Sequence, residues 1–209
     1  MTTHATHSGD THQAVGKLRA AVLCPGPSLV RTFEGKTGRY GLVIGVNRAV
    51  GRFSCDYWSM LDDHSFAMAQ PIGHPTVLCD PTAWQRVKRE FPHAAQHDLV
   101  TVRDVSSVPL LPTKWHTWSA TAAVALAHHL GARHIDCFGM DWSGIEDFDG
   151  TTDARNVRDA DRWRRERDCY HGLVDLLAEL GTTVARVMPE KTSVSGAGTN
   201  AMTAEVPAS

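Results

Sequence analysis

Short apolar runs that stop at a polar residue, with helical patterns between them, restrict this chain to few architectures. The runs are Arg19–Cys24, Leu42–Val46, Tyr57–Leu61, Thr76–Cys79, Leu99–Val102, His134–Gly139 and Thr183–Met188. Helical patterns fall just after Ser28, then at Pro81–Phe91, Ser119–Leu130 and Asp159–Leu180. Strands this short and apolar are buried on both faces, and the interposed helices supply the crossovers that parallel strands need. The expected fold is α/β, with one mainly parallel sheet of about six or seven strands and helices on both faces. Gly131 follows Leu130 and Gly181 follows Leu180, each where a left-handed residue closes a helix.

The 209 residues suit a single domain with a sizeable core. That domain is expected to span 17–192, between disordered tails at 1–16 and 193–209 that hold little to bury. His4, His7 and His12 are read as part of the first tail rather than as a metal site. A net charge of −2 gives no reason to expect binding along a nucleic-acid backbone; a nucleic-acid partner would need a local patch. Cys24, Cys55, Cys79, Cys137 and Cys169 are scattered without a Cys-x-x-Cys pair, which fits buried free thiols in a reducing compartment. No apolar run approaches the about 20 residues of a membrane span, and the polar start lacks a signal-peptide core. The expectation is a cytoplasmic protein without a membrane partner.

The run from Ala21 to Leu29 ends a strand in Cys24-Pro25-Gly26-Pro27-Ser28 and then opens a helix. Gly26 and Pro27 let a ligand approach the backbone, and Ser28 can cap the helix, whose free N–H groups favour a phosphate. A tight strand-to-helix turn with no ligand accounts for the same residues. Other strands also end in polar groups: Asn47 and Arg48, then Asp62, Asp63 and His64, then Asp141 and Ser143, then Pro189 to Ser193. In an open parallel sheet, ligands bind beyond the carboxyl ends of the strands, so these residues are expected on one rim. The chemistry of that rim suits a nucleotide. Asn47 has a donor and an acceptor for a base or ribose. Asp62 and Asp141 can accept from ribose, hold Mg²⁺ or act as a base; each can equally be a helix cap or turn former. Lys114 to Trp118 brings two tryptophans, a lysine and His116 to the entrance of an alanine-rich helix for which Ser119 is a plausible N-cap.

The blocks Cys24-Pro25-Gly26-Pro27-Ser28-Leu29, Val46-Asn47-Arg48-Ala49 and Asp56-Tyr57-Trp58-Ser59-Met60-Leu61-Asp62 resemble those of a Rossmann-like superfamily. It includes the motility-associated-factor flagellin glycosyltransferases and the archaeal 6-hydroxymethylpterin pyrophosphokinase-like proteins. The later blocks, Trp118-Ser119-Ala120-Thr121 and Ile135-Asp136-Cys137-Phe138-Gly139-Met140-Asp141, are similar both to that group and to bacterial CMP-sialic acid sialyltransferases. The resemblance runs in order from about Ala20 to Ser193 and implies a single Rossmann-like domain. It implies that Gly26, Pro27 and Ser28 lie against a nucleotide phosphate, that Asn47 contacts the nucleotide, that Ser119 lies near the donor, and that Asp141 sits beside the nucleoside. Asp62 matches the flagellin-transferase and pyrophosphokinase side. Two departures stand out. Where sialyltransferases of this type carry a catalytic histidine, this chain has Arg162, Arg164, Arg165 and Arg167, and their tyrosine is Ser143 here.

His64 and His116 are the expected replacements for that histidine, because they flank the rim and histidine suits proton transfer near neutral pH. His171 lies in a helix beside Leu173, Val174, Leu176 and Leu177, a core stripe that favours a packed role. The arginine cluster either neutralises a leaving diphosphate or donor carboxylate, or forms a solvated face with Glu166 and Asp168 as i,i+4 partners of Arg162 and Arg164. The polar stretch from Trp142 to Arg158 is read as an active-site lid.

These features favour a transferase that takes a CMP- or NDP-sugar and delivers the sugar to an acceptor hydroxyl. Asp62, His64 and His116 are the catalytic candidates in that reading. The alternative is an ATP-dependent pyrophosphokinase with Mg²⁺ on Asp62 and Asp141. A third reading keeps the nucleotide and discards catalysis.

Overall fold

A computed structural model describes residues 18–152 and 158–190. The proposed tails, with His4, His7 and His12, and also Lys191 to Ser193, lie outside the described residues. Seven strands form one sheet: β1 (Arg19–Leu23), β2 (Leu42–Val46), β3 (Tyr57–Ser59), β4 (Thr76–Cys79), β5 (Leu99–Thr101), β6 (His134–Phe138) and β7 (Thr183–Arg186). Every pairing is parallel, and the spatial order is β5-β4-β3-β2-β1-β6-β7. The chain steps outward from β1 to β5 and then returns to place β6 on the other side of β1. The order therefore reverses beside β1, and that reversal is where an open α/β sheet leaves a crevice.

Alternation along β1 shows why its sequence is apolar throughout. Ala20 and Val22 face one core, with Ile44 and Val46 of β2. Ala21 and Leu23 face the other, with Leu29 and Phe33 of α1 (Leu29–Phe33) and with Phe138. Both faces are buried, so neither set of positions tolerates a polar residue. A third cluster packs Trp58 and Val77 of the sheet against Phe66 of α2 (Asp63–Met68) and against Trp84 and Val87 of α3 (Pro81–Glu90).

Helix α4 (Ser119–His129) is buried from Ala120 to His128, and its alanines let it lie close against the sheet. Helix α5 (Ala160–Glu179) covers the same face through Tyr170, Leu173 and Leu177. Both helices close as expected. The Gly131 and Ala132 amides donate to the His128 and Ala127 carbonyls at 2.9 and 3.0 Å; Gly181 and Thr182 donate to Ala178 and Leu177 at 3.0 and 2.8 Å. The sequence reading omitted α2. Its Asp62 is an N-cap that accepts from the Ser65 amide at 2.8 Å.

Candidate functional site

Two glycines bring the ends of β1 and β6 together. The Gly26 amide donates to the Gly139 carbonyl at 3.0 Å. A Cβ on Gly26 would overlap that carbonyl oxygen and lie 2.6 Å from Asp141 Oδ2, and a Cβ on Gly139 would overlap the Cys24 carbonyl. Here Gly26 permits the approach of protein backbone, where the sequence reading expected the approach of a ligand.

Asp141 then locks the junction. Its Oδ2 accepts from the Ser28 amide at 2.7 Å, and its Oδ1 accepts from the Ser28 hydroxyl at 2.5 Å. Ser28 is 3 % exposed and makes no side-chain cap to α1. The Ser28 amide and hydroxyl, expected to face a phosphate, both donate to the carboxylate of Asp141 in this structure.

Beyond this junction lies a cavity of about 280 Å³. Gly26 and Pro27 contribute from the β1 turn, Asn47 from the end of β2, Asp62 from the end of β3, Ser119 from the start of α4, and Asp141 from the end of β6. Six expected site residues thus share one lining, and Ser28 stands behind it through Asp141. His64 and His116 do not line it. His64 is carried into the first turn of α2, and the half-buried His116 holds its ring 5.9 Å from Trp115.

Asn47 adopts φ 48°, a left-handed conformation that asparagine tolerates better than most residues. The Ser65 hydroxyl stands 2.9 Å from Asp62 Oδ1 and 3.2 Å from Asn47 Oδ1, coupling the ends of β2 and β3. Ser119 is the first residue of α4 rather than its cap. Its hydroxyl accepts from the Leu61 amide at 3.2 Å, and its carbonyl accepts from the Ser59 hydroxyl at 2.7 Å. The N-cap position falls to Trp118, which has no side-chain acceptor, so the first-turn N–H groups of this eleven-residue helix lack a side-chain cap.

The far wall was only partly foreseen. Arg158, Arg162, Trp163 and Glu166 line the cavity from α5 and the residues before it. The Arg162 guanidinium lies 5.1 Å from the centroid of the Trp118 ring, and that of Arg158 lies 5.9 Å from Trp163. Burial raises the Glu166 carboxyl above its ordinary 4.5, against the opposing pull of Arg162 and Arg158. Arg164 and Arg165 point elsewhere and pair with Asp161 at 2.6 and 3.0 Å. A signal for the inward residues was present: the buried stripe Leu177, Leu173, Tyr170, read back in helical steps, reaches Glu166 and Arg162.

The polar excursion after β6 folds across this cavity. The Phe148 amide donates to the Pro25 carbonyl at 2.8 Å. Asp147, 3 % exposed, meets Arg158 at 2.7 Å and Arg48 at 3.4 Å, while Asp149 meets Arg48 at 2.5 Å. Burial raises the carboxyl of Asp147, and the two arginines pull it down. Residues 153–157 of the expected lid lie outside the described residues.

The sequence matches no protein-family model and no curated protein. A match to solved structures is clear. One such structure is that of the sialyltransferase CstII from Campylobacter jejuni, described in complex with a substrate analogue, CMP-3FNeuAc. The chain shares its fold with a sialyltransferase. The TM-score is 0.50 at 11% identity, over 84% of this chain and 83% of that one. This likeness concerns the fold, an α/β arrangement with a parallel sheet, and the residues of the cavity are this chain's own. Among the described residues, no helix is long and apolar enough to cross a membrane.

Proposed function

We propose that this chain is a glycosyltransferase that binds a nucleotide-activated sugar in the cavity beside β1 and β6 and passes the sugar to an acceptor hydroxyl. One observation carries the reading. The ends of four strands, the start of α4 and the arginines before and within α5 converge on a single concave surface at the reversal of strand order. The fold shared with a CMP-sugar-binding sialyltransferase supports it.

The α4 N-terminus, Arg158 and Arg162 form the phosphate side, where N–H donors and fixed positive charge favour an anion. Asn47 presents its carboxamide to the nucleoside, and the exposed Asp62 accepts from a ribose hydroxyl. In the transfer, the acceptor oxygen forms a bond to the anomeric carbon as the bond from that carbon to the donor phosphate oxygen breaks. The nucleotide leaves with the electron pair, and the proton of the acceptor hydroxyl goes to a carboxylate. Glu166 is the base we assign, since it lines the cavity beside Arg162 and burial raises the pKa of its carboxyl. The arginines oppose the charge that develops on the leaving phosphate, where preorganised donors have their largest effect.

The Mg²⁺ reading does not suit the donor set. Both oxygens of Asp141 accept from Ser28, and Oδ1 of Asp62 accepts from Ser65, so no step is routed through a metal. The test is incubation with CMP-, UDP- and GDP-sugars, followed by detection of free nucleotide and transferred sugar. Turnover with at least one donor is expected, and Glu166→Gln should slow it about a hundredfold to ten-thousandfold. No turnover with any of them contradicts the reading. Nucleotide binding without turnover would instead indicate a binding protein, and activity with ATP lost to a chelator would indicate the pyrophosphokinase.

A further inference from the structure

A second cavity, of about 400 Å³, adjoins the first and shares Asp141 and Trp142 with it. Its remaining walls are Arg167, Tyr170 and His171 of α5 and Arg186 at the end of β7. Charge decides what fits there. On the outer side of α5, Arg164 and Arg165 are neutralised by Asp161, with Asp168 3.5 Å from Arg164. Arg167 and Arg186 have no carboxylate in an ion pair with them among the described residues.

Arg186 is held in place without being neutralised. Its guanidinium lies 4.5 Å from the centroid of the Trp142 ring and donates to the Met140 carbonyl at 3.5 Å. The exposed His171 packs its ring 5.9 Å from the same indole, which corrects its expected place in the core stripe. The carboxylate in the lining is Asp141, and Ser28 donates to both of its oxygens. Two guanidinium groups and an imidazole around a hollow with one engaged carboxylate make a receptor for an anion.

We infer that this second cavity is the acceptor subsite and that it selects an acceptor bearing a carboxylate or phosphate group. The inference rests on the glycosyltransferase reading of the first cavity. An anion held by Arg167 and Arg186 leaves the rest of the acceptor free to cross the shared Asp141–Trp142 wall toward the donor sugar.

Glucose, glucuronate and glucose 6-phosphate test it, because they share a ring and differ in carrying no charge, a carboxylate or a phosphate. Each is titrated by calorimetry into the full chain, with and without saturating CMP, UDP or GDP. At least one anionic sugar is expected to bind roughly tenfold or more tighter than glucose, from charge-assisted hydrogen bonds. Which one does so identifies the group. Arg167→Glu, on an exposed side chain, should abolish the preference and leave nucleotide affinity unchanged; Arg186→Lys should retain part of what Arg186→Gln loses. Equal binding of the three sugars, or a preference that survives the paired change Arg167→Glu and Arg186→Gln, overturns the inference. Nucleotide binding without anion preference removes the acceptor subsite alone. Anion preference without any nucleotide binding removes both the acceptor role and the donor reading.

Discussion

Gly26, Ser28 and Asp141 carry more of the site's shape than of its chemistry. Gly26→Ala would drive a Cβ into the Gly139 carbonyl, a backbone atom that cannot swing aside. A loss of about 1–3 kcal/mol is expected, as for other overpacked positions, and denaturant unfolding measures it. Glu166 is the residue for which pH is decisive. Burial places its folded pKa above 4.5, so its charge is removed as pH falls through a window that lies above that value. In the proposed complex, protonation removes a negative charge beside Arg158 and Arg162, on the phosphate side of the cavity. Nucleotide affinity should therefore rise on acidification in this window, and Glu166→Gln should flatten that rise; calorimetry across pH checks it. At the residue scale, the sequence made position legible and partners illegible. Strand ends identify Asn47, Asp62 and Asp141 because a parallel sheet delivers them to one rim. That Ser28 would donate to a residue 113 positions away follows from β6 lying beside β1, an adjacency no local pattern encodes.

Helix α4 is an element defined by small side chains. Ala122 and Ala123 are fully buried, and Ala123→Leu should cost about 1–3 kcal/mol of stability through overpacking. The same helix holds a titration probe. His128 is buried beside Thr182 at 2.8 Å, and burial lowers its folded pKa below the ordinary 6.5. The unfolded chain then binds more protons than the folded one as pH drops below 6.5. Stability should fall with acidification through that window, and His128→Gln should reduce the slope relative to wild type, as thermal unfolding at several pH values would show. The strands were readable to within two residues because both faces of the sheet are buried and demand continuous apolar runs. Helix α2 escaped notice for a related reason. Six residues give too short a window for periodicity, and its Asp62 cap serves equally well as a strand-end ligand group.

At the scale of the molecule, the order β5-β4-β3-β2-β1-β6-β7 turns separate polar tips into one surface. The strand pattern implied a parallel sheet, and the resemblance to Rossmann-like transferases implied its use. The far wall depended on how α5 is rotated against α4, which packing of Tyr170, Leu173 and Leu177 sets. The central claim is that this surface binds a nucleotide. Thermal unfolding of the full chain with CMP, UDP, GDP or ATP tests it most directly. A bound nucleotide at a hundred times its dissociation constant should stabilise the fold by about 2.7 kcal/mol, and replacing Asn47 and Arg162 together by alanine should remove the gain. A chain that none of the four stabilises, or whose stabilisation survives that double replacement, contradicts the account.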